Sequence, residues 1–268
     1  MPPRSPQTPA GSSPHVDDGL TSGKITHRHL WQPRTWGTLC GVGRLARRTW
    51  SPALLLIAVP VVFGLVLGCG VLAGDALKQA EAPSGSTGFD SSITSWMVSH
   101  RGGVLTAVAR VLSAIGSQKV LAPAAAAAAV LLLWRRRPVT TLTLAIAWGG
   151  AILLYSLTKQ AVLRPRPPAA IRLMHVSASS FPSGHATQSM ATLVALAALV
   201  AAAVVHARTR AAVVIAVGIA AAVGWSRVYL GVHWTTDVIA GWLMGATWVG
   251  SVLWLSRRAP RSPPTATR

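Results

Sequence analysis

Apolar residues fall into long, nearly unbroken runs separated by short polar stretches, a pattern unlike the in-out alternation of a soluble domain. The first run, Pro52 to Gly74, is long enough to cross a bilayer at about 1.5 Å per residue. Five more follow: Val120 to Trp134, Val139 to about Val162, Ala186 to about Val205, Ala211 to about Leu230, and Val238 to Leu255. They predict an all-α fold, a bundle of six transmembrane helices. Between the first two runs, residues such as Ile93, Trp96, Met97, Val104, Val108 and Val111 recur at roughly helical spacing, broken by Gly102 and Gly103. An interfacial or bundle-packing helix fits that segment better than a span. The six-alanine run Ala124 to Ala129 offers a close-packing surface to neighbouring helices and no chemistry.

The first run has a competing reading as a signal peptide, because Arg47-Arg48 precedes it and Ala73-Gly74-Asp75-Ala76 loosely resembles a cleavage site. It is longer than the 7–15 residues of a signal core, which favours a retained helix. Residues 1–51, rich in Pro, Ser, Thr, Gly and Arg, have no sustained apolar period and read as a disordered basic tail. The membrane domain then covers 52–256, with a short basic tail at 257–268.

Composition strengthens the membrane reading: 51% of residues are hydrophobic and 12% charged, against about 25% charged in a soluble domain. The 25 Lys+Arg against 6 Asp+Glu give +19, a balance that in isolation suggests a nucleic-acid partner. Its distribution argues otherwise. Arg44, Arg47 and Arg48, then Arg135 to Arg137, then Arg208 and Arg210, then Arg257, Arg258 and Arg261 all fall on one side of a six-span chain. By the positive-inside rule that side is cytoplasmic, with both termini on it, and no nucleic-acid partner is expected. Ala- and Arg-rich composition suits the plasma membrane of a bacterium. The two cysteines, Cys40 and Cys69, supply neither a disulfide framework nor a four-cysteine zinc site.

One outer loop breaks the charge rule, carrying Lys159, Arg164, Arg166 and Arg172 where basic residues should be rare. Polar groups near helix ends gather in three segments: Lys159 to Pro167, Phe181 to His185, and Ser226 to Asp237. The topology puts all three outside, so one outward-facing active site is the economical reading. Lys159, Arg166 and Arg227 provide fixed positive charge in a setting of reduced dielectric, which calls for an anion. Ser183 stands where it can cap a helix whose first amides attract phosphate oxygens, and Gly184 permits close backbone approach. His233 and Asp237 are four apart, hence on one helical face if that segment is helical. The carboxylate would fix the tautomer, leaving the other ring nitrogen as a nucleophile, while His185 protonates a leaving alkoxide. A metal centre from His185, His233 and Asp237 is disfavoured by the adjacent cations, so no metal or other cofactor is expected.

These residues resemble the type 2 phosphatidic acid phosphatase superfamily, whose signature is Lys-x6-Arg-Pro, Pro-Ser-Gly-His and Ser-Arg-x5-His-x3-Asp. Lys159 with Arg166-Pro167, Pro182 to His185, and Ser226-Arg227 with His233 and Asp237 match it in order. The resemblance implies that His233 is the nucleophile, Asp237 its partner and His185 the acid. It implies that Lys159, Arg166, Arg227, Ser183 and Gly184 hold phosphate, without metal, in a six-helix membrane protein. The expected activity is hydrolysis of a lipid phosphate or polyprenyl diphosphate through a phosphohistidine. The competing readings are a phosphotransferase with an alcohol acceptor, which uses the same residues, and a non-catalytic lipid-phosphate binding or transport protein, which would need neither histidine. Six spans argue against the related vanadium haloperoxidases. Arg164 is an additional cation in the first motif, whose contact with substrate the sequence leaves open, as it does the natural lipid and the oligomeric state.

Overall fold

The computed structural model describes residues 51–81, 86–176, 179–202 and 209–258. The N-terminal tail before Ser51, His206, Arg208 and the tail beyond Arg258 lie outside the described residues. Every regular element among those described is helical: α1 (Pro52–Gln79), α2 (Gly88–Ser99), α3 (Gly103–Ile115), α4 (Gln118–Trp134), α5 (Pro138–Val162), α6 (Gly184–Val200), α7 (Thr209–Tyr229) and α8 (Thr235–Ser256), with one 3-10 turn at Ala169–Ile171.

Four of these, α1, α5, α7 and α8, are long and apolar enough to cross a membrane. The run expected as a second span gives only the 17 residues of α4, but α3 and α4 together reach spanning length across a 43° bend. The amphipathic segment before it therefore divides at Arg101-Gly102: α2 stays separate, and α3 runs into α4 across the bend. The sixth apolar helix, α6, is also 17 residues, and the rest of its run passes into residues outside those described.

Helix α6 packs against α5, α7 and α8, so the turn that opens it is surrounded by their ends. Two glycines let α8 approach it: a Cβ on Gly241 would lie 2.8 Å from Ser183 O, and one on Gly245 2.5 Å from Thr187 O. Small residues at i and i+4 are what close helix contact in a membrane requires. Trp248 anchors the core among Leu132, Leu144, Ala151 and Ala191, its indole N–H donating to Ala147 O at 3.1 Å. Of the alanine run, Ala125 and Ala128 are buried in register with Leu121 and Leu132, a single packed stripe. Helix α1 turns Leu56, Leu65 and Leu72 outward, each more than half exposed, the pattern of a lipid-facing surface.

Candidate active site

The connection from α5 to α6 is stitched to the turn between α7 and α8 by backbone hydrogen bonds. Leu173 N donates to Leu230 O at 3.0 Å, Ser183 N to Asp237 O at 3.0 Å, and within the connection Ser180 N to Arg164 O at 2.8 Å. Trp234 adds its indole N–H to Pro165 O at 3.0 Å. Gly231, at φ +70°, makes the turn possible, since a Cβ there would lie 2.5 Å from Ile171 O. The three sequence motifs thus converge at one end of the bundle.

His233 and Asp237 form the expected pair, with Nδ1 3.3 Å from Asp237 Oδ2. The other ring nitrogen, Nε2, lies 3.2 Å from Arg166 Nη1. A guanidinium can only donate, so Nε2 is the acceptor and Nδ1 carries the proton toward the carboxylate. Both contacts select one tautomer. Burial above all, then the charges of Lys159, Arg166, Arg227 and His185, hold the His233 pKa well below 6.5, so the imidazole stays neutral.

Lys159, Arg166, Gly184, His185, Arg227 and His233 line one cavity of about 190 Å³, which Gln118, Tyr155 and Gln188 help to close. Backbone carbonyls and a hydroxyl help to hold these side chains in place. Lys159 Nζ donates to Ser179 O at 2.6 Å and Ser180 O at 3.1 Å, and Arg166 donates to Val232 O at 2.5 Å and Ser179 O at 3.2 Å. Arg227 Nη1 meets Ser113 Oγ on α3. Three basic side chains on one cavity wall suit it to an anion. Ser183 stands at the N-cap of α6, yet its side chain makes no capping bond, and Oγ is buried without a partner among the described residues. The capping expectation fails here. Without that acceptor, the first amides of α6 remain suited to a ligand's oxygens.

Arg164 answers the question its sequence position raised. It is 1% exposed and faces away from the cavity, donating to Asp237 Oδ1 (2.7 Å), Asp90 Oδ2 (2.9 Å), Thr236 Oγ1 (2.7 Å) and Glu81 Oε1. Asp237 is further bound by Ser180 Oγ and by Trp234 N at 2.9 Å. Asp90 in turn accepts from Thr236 N at 2.9 Å and Thr236 Oγ1 at 2.7 Å. Glu81, Asp90, Ser180 and Thr236 belong to no recognised motif. For Glu81 and Asp90 the one sequence signal is scarcity, as the chain has only six acids; Ser180 and Thr236 have none. Arg172 donates to Pro167 O at 2.7 Å, and His100 stacks on Trp96 at 4.5 Å, both apart from the cavity.

Residues 138–261 match the PAP2 superfamily. Similar proteins include phosphatidylglycerophosphatase B of Bacillus subtilis (strain 168), 37% identical over 39% of this chain and 52% of its own length. Undecaprenyl-diphosphatase of Sulfolobus acidocaldarius is 33% identical over 40% of this chain and 50% of its own. The chain thus spans about half the length of the curated relatives it matches. A crystal structure of a transmembrane PAP2 type phosphatidylglycerolphosphate phosphatase from Bacillus subtilis superposes with TM-score 0.62 at 25% identity, covering 76% of this chain and 97% of that one. Aquifex aeolicus LpxE shares the fold, with TM-score 0.51 at 22% identity, over 62% of this chain and 94% of its own. With its several apolar helices, the chain is a multi-pass membrane protein carrying the PAP2 signature.

Proposed function

We propose that this protein is an integral-membrane phosphatase that hydrolyses a lipid phosphate or polyprenyl diphosphate through a phosphohistidine. The observation that carries the reading is His233: Nδ1 on Asp237, Nε2 free of its proton, and a cavity lined by Lys159, Arg166 and Arg227. The Nε2 lone pair attacks phosphorus as the ester or anhydride P–O bond breaks. His185 gives its proton to the departing oxygen and then takes one from a water whose oxygen attacks phosphorus as the P–N bond breaks, releasing phosphate and restoring both histidines. Lys159, Arg166, Arg227 and the Gly184 amide hold the non-bridging oxygens, whose charge they are placed to stabilise. The bilayer assignment is six spans, with α3–α4 and α6 joining the four long helices. The arginine distribution puts both termini in the cytoplasm and the site on the outer face, where a lipid presents its headgroup.

No metal is needed in this scheme: cations already surround the phosphate, and both Asp237 oxygens are engaged by Arg164, Ser180, Trp234 and His233. The test is phosphate release by the detergent-solubilised protein from lipid mono- and diphosphates in EDTA. Release that persists in chelator and stops with vanadate is expected. Loss of activity in EDTA would restore the metal centre, and no release from any lipid by folded protein would leave a transferase or a binding protein.

The depressed His233 pKa fixes the sign of the pH response. Its nucleophilic form is the neutral one, so kcat/KM falls on the acid side only as pH passes below a pKa already well under 6.5. In the complex the bound phosphate's negative charge favours a protonated His185, so kcat is expected to fall on the alkaline side as that proton is lost, and the two limbs make a bell. Once the substrate's own ionisation is divided out, an acid limb centred at or above 6.5, or a flat profile, would contradict these roles.

A further inference from the structure

At the end of the bundle opposite the active site, a groove of about 450 Å³ opens between the first turns of α1, the first turns of α5 and the last turn of α8. Leu55, Val59, Val139, Leu142, Ile146 and Leu255 form its walls. It follows α5 from Val139 to Ile146, about 10 Å at helical rise, and Val139 stands about 30 Å along that helix from Lys159 in its last turn. The two hydroxyl residues in the groove are already satisfied: Thr143 Oγ1 donates to Val139 O and Ser256 Oγ to Leu253 O, each at 2.8 Å. The groove therefore suits an apolar chain and offers little to a polar solute. One wall is α1, the least buried of the four long helices.

The same end of the bundle is basic. Arg137 is the N-cap of α5, just ahead of Val139, and Arg257 is the C-cap of α8, just after Ser256; both are exposed. Arg135 and Arg258 stand at this end too, over the Trp134 and Trp254 rings at 5.7 and 5.0 Å. The carboxylates among the described residues, Asp75, Glu81, Asp90 and Asp237, all belong to the other end, beside the close of α1 or around Arg164. None of them offsets these arginines. An apolar slot flanked by uncompensated arginines is complementary to an amphiphile with a hydrocarbon chain and an anionic head. A second copy of this +19 chain, or its own basic N-terminal tail, would bring more positive charge instead.

We infer that this groove is a second lipid site, in which one acyl chain of an anionic phospholipid lies between α1 and α5 while Arg137 and Arg257 hold its phosphate. The site is independent of the reaction proposed above, and a phosphodiester head suffices for it. The chain fills space that protein atoms leave open and gives α1 dispersion contacts it otherwise lacks. A ligand bound only by the folded bundle also stabilises it by mass action. Each arginine at the headgroup is expected to contribute about fivefold in affinity.

The test uses the full-length protein in detergent with dioleoylphosphatidylglycerol or dioleoylphosphatidylcholine, which share their chains and differ in head-group charge. Native mass spectrometry counts the lipid retained, and thermal melting reads its effect on the fold. Wild type is expected to retain phosphatidylglycerol over phosphatidylcholine by about tenfold or more and to melt higher with it. The double variant Arg137→Gln/Arg257→Gln is expected to melt like wild type without lipid, to keep the wild-type phosphate release, and to lose the preference. Leu142→Trp, which fills the groove, is expected to lower retention of phosphatidylglycerol. Equal retention of the two lipids by wild type would overturn the inference and leave a hollow that any lipid covers. A preference that survives in the double variant would overturn it by placing the head on other basic groups, in the active site or the N-terminal tail. Retention unchanged in Leu142→Trp would overturn the groove as the seat of the chain.

Discussion

Replacing His233 with alanine is expected to lower phosphate release by at least about four orders of magnitude, the scale on which enzymes lose a covalent nucleophile. The size follows from the geometry. Asp237, Arg166 and the turn from Leu230 to Trp234 fix a single tautomer and aim Nε2 at the cavity, and removing the ring leaves cations that can bind phosphate but cannot attack it. Binding and chemistry should therefore separate. His233→Ala is expected to keep affinity for a lipid phosphate, measured by competition, while a rapid-quench experiment detects no acid-labile phosphoprotein. Deleting a small buried ring is a modest packing change compared with the loss of turnover, so thermal melting in detergent should remain close to wild type. Full activity in this variant would eliminate the phosphohistidine mechanism, whatever the family resemblance.

The sequence made legible what depends on local pattern: apolar runs long enough to cross a bilayer, and three motifs whose internal spacings survive without knowledge of the fold. It even placed the motifs together, because basic clusters assigned helix ends to sides. The run Val120 to Trp134 gives a helix close to the expected bounds, but at 17 residues α4 reaches spanning length only with α3 added across a 43° bend. Bends at Gly116-Ser117 leave no periodicity signature. Residue type alone makes Ser183 a cap, and it does stand at the N-cap of α6, but the capping bond depends on a side-chain rotamer that the sequence does not specify. The largest gap was the set of residues that position the site. Asp90 meets Thr236 across 146 positions and Arg164 across 74, contacts that no motif spacing encodes. Nothing in their local sequence marks Glu81 and Asp90; the fold brings both to one guanidinium.

That guanidinium carries the second large prediction. Arg164 is the one cation in contact with Glu81, Asp90 and Asp237 among the described residues, and the three carboxylates have side-chain exposures of 7%, 0% and 0%. Arg164→Ala would bury them together without a counter-charge. Removing one partner from a buried ion pair typically costs about 3–5 kcal/mol, and here several acceptors lose the same donor at once. The expected result is a marked fall in the melting temperature in detergent, with phosphate release reduced beyond what the folded fraction explains, because Asp237 loses the bond that holds it against His233. Lysine should rescue poorly, since one ammonium cannot reproduce a fork that reaches Nε, Nη1 and Nη2 partners in fixed directions. Asp90→Asn is the gentler companion: it lowers the local negative charge while keeping an acceptor for Thr236, so melting should change less than in Arg164→Ala, and kcat should fall while KM holds. A cation that touched substrate would behave oppositely, raising KM with little effect on melting. If Arg164→Ala melts like wild type and shows only a raised KM, then Arg164 belongs to the phosphate cavity, and the interior network does not position the catalytic pair.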